Sequence, residues 1–102
     1  MSVTELTSDY HEQQFINTHE RAVIFFGSER CPHCRDMVPV IHDMARKYSS
    51  IGFAHVEVSE IEVENVKGVP VFVGYRNQNP VEVIVGARVK ALTEMITTKL
   101  AN

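Results

Sequence analysis

The apolar residues of this chain occur with two different periods that alternate along the sequence. An unbroken apolar run at residues 22–26 is typical of a central strand buried on both faces. Weaker strand patterns occupy residues 3–6 and 53–58, and residues 69–73 and 81–85 enclose a polar segment with the composition of a turn. These patterns predict five strands, of which the last two form a hairpin.

Helical periods separate the strands. Asp9 and Glu12 indicate an N-cap and its capping-box partner for a helix over residues 9–18. A second pattern of this kind, at Ser59 and Glu62, predicts a short helix before the hairpin. The apolar side chains of the first helix that are expected to face the core are Tyr10, Phe15 and Ile16.

The longest predicted helix begins at the two cysteines. Pro39 is expected to bend it, since proline removes a backbone donor and crowds the preceding turn. Met37 and Met44 are interpreted as core residues. The apolar stripe of this longest helix consists of residues three or four positions apart: Cys34, Val38, Ile41, Ala45 and Tyr48. The last helix is marked by a similar stripe: Val89, Leu92, Ile96 and Leu100.

The order of these elements predicts the architecture. Helices interleaved with strands require parallel pairing through crossovers, whereas the hairpin requires an antiparallel pair. We therefore predict the α/β class, with a central mixed sheet of about five strands flanked by four helices in a three-layer α/β/α sandwich. The length of 102 residues suits a single domain over residues 1–102.

Composition and charge exclude several classes of function. The net charge is −3, with 44% hydrophobic and 23% charged residues, as in an ordinary globular domain. The mixed charges lack the basic patch of a protein that binds nucleic acid or a membrane surface. The first residues lack the charge and apolar pattern of a secretory signal. We expect a cytoplasmic monomer with no nucleic-acid or membrane partner.

Both cysteines lie in the sequence Cys31-Pro32-His33-Cys34, at the turn between the buried strand and the long helix. Disulfide exchange requires a thiolate, and the unpaired N–H groups at a helix N-terminus stabilise an anion. We therefore interpret Cys31 as the nucleophile. Cys34 begins the apolar stripe, so we interpret it as the more buried, resolving thiol.

Residues beside the cysteines are expected to modify this chemistry. Pro32 suits the first helical turn, where its missing N–H would be unpaired in any case. Arg30 and Arg35 add positive charge nearby. His33 is a further donor, and a donor that stabilises the Cys31 thiolate makes the disulfide a stronger oxidant. The motif therefore predicts a disulfide that is a stronger oxidant than it would be without a donor at His33.

Cysteine pairs at this spacing also occur in structural disulfides and zinc sites. A disulfide that closes so short a loop adds little stability. A structural zinc ion usually takes four side-chain ligands, whereas this chain has two cysteines and no His-x-x-x-His pair. We expect a redox dithiol that needs no cofactor. Metal or iron–sulfur binding by Cys31 and Cys34 across a dimer stays open as an alternative.

With these features the chain resembles the thioredoxin family over nearly its whole length. The resemblance rests on the element order, the cysteine motif at the start of the second helix, Pro39 after the motif, Pro70 before the hairpin and Gly86 before the last helix. It implies the thioredoxin fold and an enzyme that exchanges protein disulfides, with a thiol reductase or a small thiol as electron donor.

The resemblance also implies a substrate-binding surface. By analogy with the family, the bond between Val69 and Pro70 would be cis, and the Val69 backbone would pair with an extended substrate segment. Arg30 and Gly86 would belong to the same surface. An alternative function uses this surface without catalysis, in a thioredoxin-fold module that binds a partner through Val69 and Pro70.

Three positions depart from the family's pattern. Arg30 stands where the family has a tryptophan, Phe25 where many members have a buried acid, and His55 where a lysine partners that acid. No obvious carboxylate therefore remains to accept the Cys34 proton, and Glu29 is the nearest candidate in sequence. We interpret His55 as a core or edge histidine with satisfied hydrogen bonds, with a relay that replaces the lysine as the alternative.

Overall fold

The fold is built on a central sheet, seen here in a computed structural model that describes residues 3–58, 62–63, 66–67 and 70–101. The strands in these ranges are β1 (Thr4–Leu6), β2 (Arg21–Gly27), β3 (Gly52–Glu57), β4 (Glu62–Val63), β5 (Val66–Lys67), β6 (Val71–Arg76) and β7 (Asn79–Val85). The order in the main sheet is β1-β3-β2-β6-β7. The three strands β1, β3 and β2 pair in parallel, whereas β2 with β6 and β6 with β7 are antiparallel. The prediction of a mixed five-stranded sheet is confirmed.

Three helices are present in the described part of the chain. They are α1 (Asp9–Thr18), α2 (Pro32–Lys47) and α3 (Val89–Met95), the last of which continues as a π-helical segment, Ile96–Leu100. None of the described helices is long and apolar enough to cross a membrane. The helix count is therefore one lower than the predicted four.

The central strand β2 separates two apolar layers. Ala22 and Ile24 belong to a cluster with Phe15 and Ile16 of α1, whereas Val23 and Phe25 belong to the cluster formed with α2 and α3. Because successive side chains of a strand point to opposite faces, a strand with helices on both sides is apolar at every position. The predicted three-layer sandwich is confirmed, and so is the burial of residues 22–25, whereas Phe26 is only partly buried.

The short helix predicted from Ser59 and Glu62 is wrong where the structure describes this segment. Glu62 pairs with Lys67, and Val63 pairs with Val66, in a small antiparallel ladder. The β-branched valines favour extended backbone, and this preference outweighs the capping pattern. Ser59 lies outside the described residues.

Three predictions about the helices, one N-cap and two buried positions, are also corrected. The N-cap of α1 is Ser8, whose Oγ accepts a hydrogen bond from the His11 N–H at 3.0 Å, and Asp9 is the first helical residue. Tyr10 is 73% exposed, and its hydroxyl accepts a hydrogen bond from the Gln14 amide along the helix surface. Val38 is 43% exposed at the rim of a pocket rather than in the core.

The hairpin places the last strand as predicted. Asn77 and Gln78 form a two-residue loop with φ of 51° and 73°. Left-handed backbone at both loop positions matches the right-handed twist of the paired strands. The hairpin forms the edge of the sheet on the side of β2 opposite to β3.

Candidate dithiol active site

A tight turn connects the end of β2 to the cysteine motif. The N–H of Cys31 donates to the carbonyl of Ser28 at 3.0 Å, and the N–H of Arg30 donates to the Ser28 hydroxyl at 3.1 Å. Ser28 is buried, so this turn is held from inside the protein. Gly27, the last residue of β2, accepts a hydrogen bond from the N–H of Val58 at 2.9 Å. The turn places Cys31 at the N-cap of α2.

Cys31 occupies the end of the helix where backbone donors are available. Its Sγ accepts a hydrogen bond from the N–H of Cys34 at 3.2 Å, and Pro32 takes the first helical position. The two sulfur atoms are not joined in a disulfide. A thiolate at this N-cap is stabilised by the helix N–H group and by the positive end of the helix dipole. The turn therefore places the Cys31 sulfur where a backbone donor at the start of α2 reaches it.

Cys34 lies one turn further along the helix in a different environment. Only 2% of its surface is exposed. Burial raises the pKa of its thiol to about 11, and the hydrogen bond with Cys31 and the charge of Glu57 act in the same direction, against a hydrogen bond from the Ser28 backbone. A thiol with this pKa keeps its proton at neutral pH. The two sulfurs are therefore in contact but chemically distinct.

The side chains beside the motif face solvent. Pro32, His33 and Arg30 are exposed, whereas Cys31 itself is only 5% exposed. Arg35 uses its guanidinium to donate to the Glu29 carbonyl at 3.1 Å, which ties the first turn of α2 to the preceding loop.

Pro70 and Gly86 meet at the same end of the sheet. The N–H of Gly86 donates to the Pro70 carbonyl at 2.7 Å, and Gly86 has a φ of +106°. Pro70 is buried. Since Val71 pairs with Phe26 near the end of β2, Pro70 precedes β6 at the edge from which the cysteine turn departs. Val69, and with it the predicted cis bond, lies outside the described residues.

A pocket of about 190 Å³ opens behind Cys34, between α2 and the parallel half of the sheet. Phe25 forms part of its wall, with its ring centroid 5.0 Å from His55 and 5.1 Å from Phe72. The residues of the wall that carry polar or ionisable side chains are Glu5, Ser28, Glu29, Cys34, Arg35, His42, His55 and Glu57. The structure thus places Phe25 opposite His55, at matching positions of β2 and β3.

Two carboxylates surround His55, and the sequence interpretation missed both. His55 Nδ1 lies 2.8 Å from Oε1 of Glu5, and its Nε2 lies 3.7 Å from Oε1 of Glu57. The other oxygen of Glu57 accepts a hydrogen bond from the N–H of Glu29 at 2.9 Å. Glu57 follows His55 by two residues in a strand, so their shared face was a usable signal. Glu5 depends on the register of β1 against β3, which no local pattern reveals.

Gly27 allows Cys34 to approach the sheet closely. A Cβ atom at this position would lie 2.7 Å from the Phe25 ring and 3.3 Å from Cys34 Cβ. No group of three or more His, Cys, Asp or Glu side chains among the described residues is arranged to hold a metal ion. The redox-capable groups of the site are the two thiols.

Comparison with known proteins identifies the family. The sequence profile named Thioredoxin matches residues 2–98. Thioredoxin 1 of Plasmodium falciparum is 28% identical over 95 residues, which cover 89% of this chain and 91% of that protein. Thioredoxin Asp f 28 of Aspergillus fumigatus is 33% identical over 79 residues, which cover 72% of this chain and 73% of that protein.

A solved structure of Plasmodium falciparum thioredoxin superposes with a TM-score of 0.82 at 27% identity, covering 95% of this chain and 99% of that one. The central sheet, the helices on both faces and the dithiol at the start of α2 agree with this likeness. This chain belongs to the thioredoxin family and is a thiol-disulfide oxidoreductase that works through the dithiol of Cys31 and Cys34 without a further cofactor.

Proposed function

We propose that Cys31 is the nucleophile of this oxidoreductase and that Cys34 is the resolving thiol. The observation that carries this assignment is the asymmetry of the pair. Cys31 Sγ accepts the Cys34 N–H at the start of α2, whereas Cys34 is buried with a pKa raised to about 11. At neutral pH the sulfur that attacks first is therefore the one at the helix N-terminus.

The reaction proceeds by two exchanges. The Cys31 thiolate attacks one sulfur of a substrate disulfide, a mixed disulfide forms, and the other substrate sulfur leaves with the electron pair. Cys34 then attacks Cys31 Sγ, which forms the Cys31–Cys34 disulfide and releases the second substrate thiolate. The substrate gains two electrons and the dithiol loses them. The same steps run in reverse when the oxidised protein meets a reduced substrate.

The substrate surface in this proposal surrounds the exposed end of α2. Pro70 and Gly86 are joined by a hydrogen bond at this end of the sheet, and Arg30 is exposed beside Cys31. Val69 precedes Pro70, and we assign to it the backbone pairing with an extended protein segment. The predicted cis bond between Val69 and Pro70 belongs to this proposal.

The cellular setting is part of the same proposal. The chain has two cysteines, and both lie in the motif, so none is left for a structural disulfide. This usage suits a reducing compartment such as the cytoplasm. We propose a monomeric, single-domain protein over residues 1–102 that transfers electrons from a thiol reductase or a small thiol to protein disulfides.

Insulin reduction tests the function directly. With dithiothreitol as electron donor, the wild-type protein is expected to accelerate the precipitation of insulin B chain, and Cys31→Ser is expected to be inactive. Asp43→Ala, on the exposed face of the same helix and outside the wall of the pocket, serves as a matched control with unchanged activity. A wild-type protein that is inactive with every reductant and oxidant would favour the non-catalytic binding module instead.

A further inference from the structure

We propose that Glu57 accepts the proton of Cys34 during resolution, through water in the pocket behind the thiol, and that His55 positions Glu57 for this step. This inference rests on the proposed role of Cys34 as the resolving thiol. It assigns a proton route to a site whose central strand carries no acid at the position facing that thiol.

The chemistry requires an acceptor. Cys34 is buried beside an apolar ring, and it must lose its proton as its sulfur attacks Cys31. Phe25 cannot take this proton, and its ring is packed between His55 and Phe72. The acceptor must therefore come from another wall of the pocket.

Three carboxylates line the pocket, and their surroundings differ. One oxygen of Glu57 accepts a hydrogen bond from the Glu29 N–H at 2.9 Å, and the other lies 3.7 Å from His55 Nε2. Its charge reaches the Cys34 thiol, since it contributes to the raised pKa of that group. Glu5 is directed to the opposite ring nitrogen of His55, and its side chain is 66% exposed. The Glu29 side chain is exposed, and it is the backbone of this residue that serves the site.

The pocket supplies a path between the two groups. Its volume of about 190 Å³ holds several water molecules, at roughly 30 Å³ each. The Glu57 side chain is 49% exposed, so a proton that reaches it can pass to bulk solvent. The other ionisable groups facing this space are Glu5 from β1, Glu29 from the loop after β2, and Arg35 and His42 from α2.

Resolution of the mixed disulfide moves one proton and one electron pair. The Cys34 S–H proton moves through water to the Glu57 carboxylate while Cys34 Sγ forms a bond to Cys31 Sγ. The bond between Cys31 and the substrate sulfur breaks, and that sulfur leaves with the electron pair. Glu57 then gives the proton to solvent. His55 keeps the carboxylate directed toward the pocket through its contact at Nε2.

A chromophoric disulfide separates the two chemical steps. Reduced protein mixed with dithiobis(nitrobenzoate) releases one thionitrobenzoate when Cys31 attacks and a second when Cys34 resolves the mixed disulfide. The second phase is first order and independent of reagent concentration. For Glu57→Gln at pH 7 we expect the second phase to slow about 100-fold, the lower range for general base catalysis. The first phase should stay unchanged.

The sign of the effect distinguishes proton transfer from simple electrostatics. Because the Glu57 charge raises the pKa of Cys34, its removal alone would lower that pKa and accelerate resolution. A faster or unchanged second phase in Glu57→Gln would therefore refute the inference. Glu57→Asp, which keeps a carboxylate, should retain more of the rate than Glu57→Gln, and thermal unfolding verifies that both variants fold.

Matched variants complete the test. Glu29→Gln and Glu5→Gln remove carboxylates from the same pocket and should change the second phase less than about twofold; equal slowing in either would overturn the assignment. His55→Gln should slow the second phase in the wild-type background but not in Glu57→Gln, which a purely structural role would not do. A wild-type protein that lacks a second phase would instead disprove the resolving role of Cys34, so the two failures are distinguishable.

Discussion

Both thiols of the dithiol are buried, but their surroundings differ. On the outer side, Cys31 ends a turn beside exposed Pro32 and His33, with a helix amide directed at its sulfur. On the inner side, Cys34 packs against Gly27 and the Phe25 ring at the mouth of a pocket. An offset of three residues at the start of one helix thus separates a sulfur suited to meet substrate from one suited to hold its proton.

Cys34→Ser should give the largest effect and the sharpest separation of the two sides. We expect turnover to fall to background, because the mixed disulfide on Cys31 can no longer be resolved from within the protein. The adduct should accumulate and be visible by mass spectrometry under non-reducing conditions. Cys31→Ser should form no such adduct. An equal yield of adduct from both variants would contradict the proposed difference between the two thiols.

Gly27→Ala tests the close contact on the inner side. The added methyl group would lie 2.7 Å from the Phe25 ring and 3.3 Å from Cys34 Cβ. Overpacking of this kind costs about 1–3 kcal/mol of unfolding free energy, which urea denaturation measures. Phe25→Leu in the same background should recover part of the loss, since the two changes act on one contact. Strict additivity of the two changes would show that the contact is unimportant.

The pH dependence of stability tests the proton held by Cys34. The pKa of this thiol is raised from about 9 to about 11 in the folded protein. Below pH 9 both states keep the proton. Between pH 9 and 11 the unfolded chain loses it while the folded protein keeps it, so ionisation favours unfolding and stability falls as pH rises. Urea denaturation of the reduced protein should show that the free energy of unfolding declines between pH 9 and 11. The decline should be smaller for Cys34→Ser. An equal decline in both proteins would contradict the raised pKa of Cys34.

His33→Ala should have the smallest effect, and it is confined to the outer side. Removal of a donor near the Cys31 thiolate weakens the reduced form, so the reduction potential should become more negative. The shift is about 30 mV for each tenfold change in the equilibrium constant with glutathione. Asp43→Ala is the control on the same helix, and a reduction potential that moves equally in both variants would exclude a specific role for His33.

The fold was predictable where one short segment carries a strong pattern. The apolar run at residues 22–26 identified the central strand, and the spacing of Cys34, Ile41 and Ala45 identified the buried face of α2. The prediction was wrong where local signals compete, as for Glu62, where extended pairing prevailed over a capping pattern. Tyr10 shows a third case, in which an apolar ring satisfies its hydroxyl at the surface through Gln14 and stays exposed.

By itself the sequence determined the outer side of the dithiol. Cys31, Pro32 and Cys34 are neighbours in the chain, so a helix that begins among them positions the first sulfur at its N-terminus whatever surrounds it. The inner side was decided by the tertiary structure. Phe25 and His55 meet because β2 and β3 pair in a particular register, and that register depends on contacts between segments far apart in sequence. The two-residue spacing of His55 and Glu57 predicts only that they share a face of β3. It is the same register that brings Glu57 to the pocket behind Cys34.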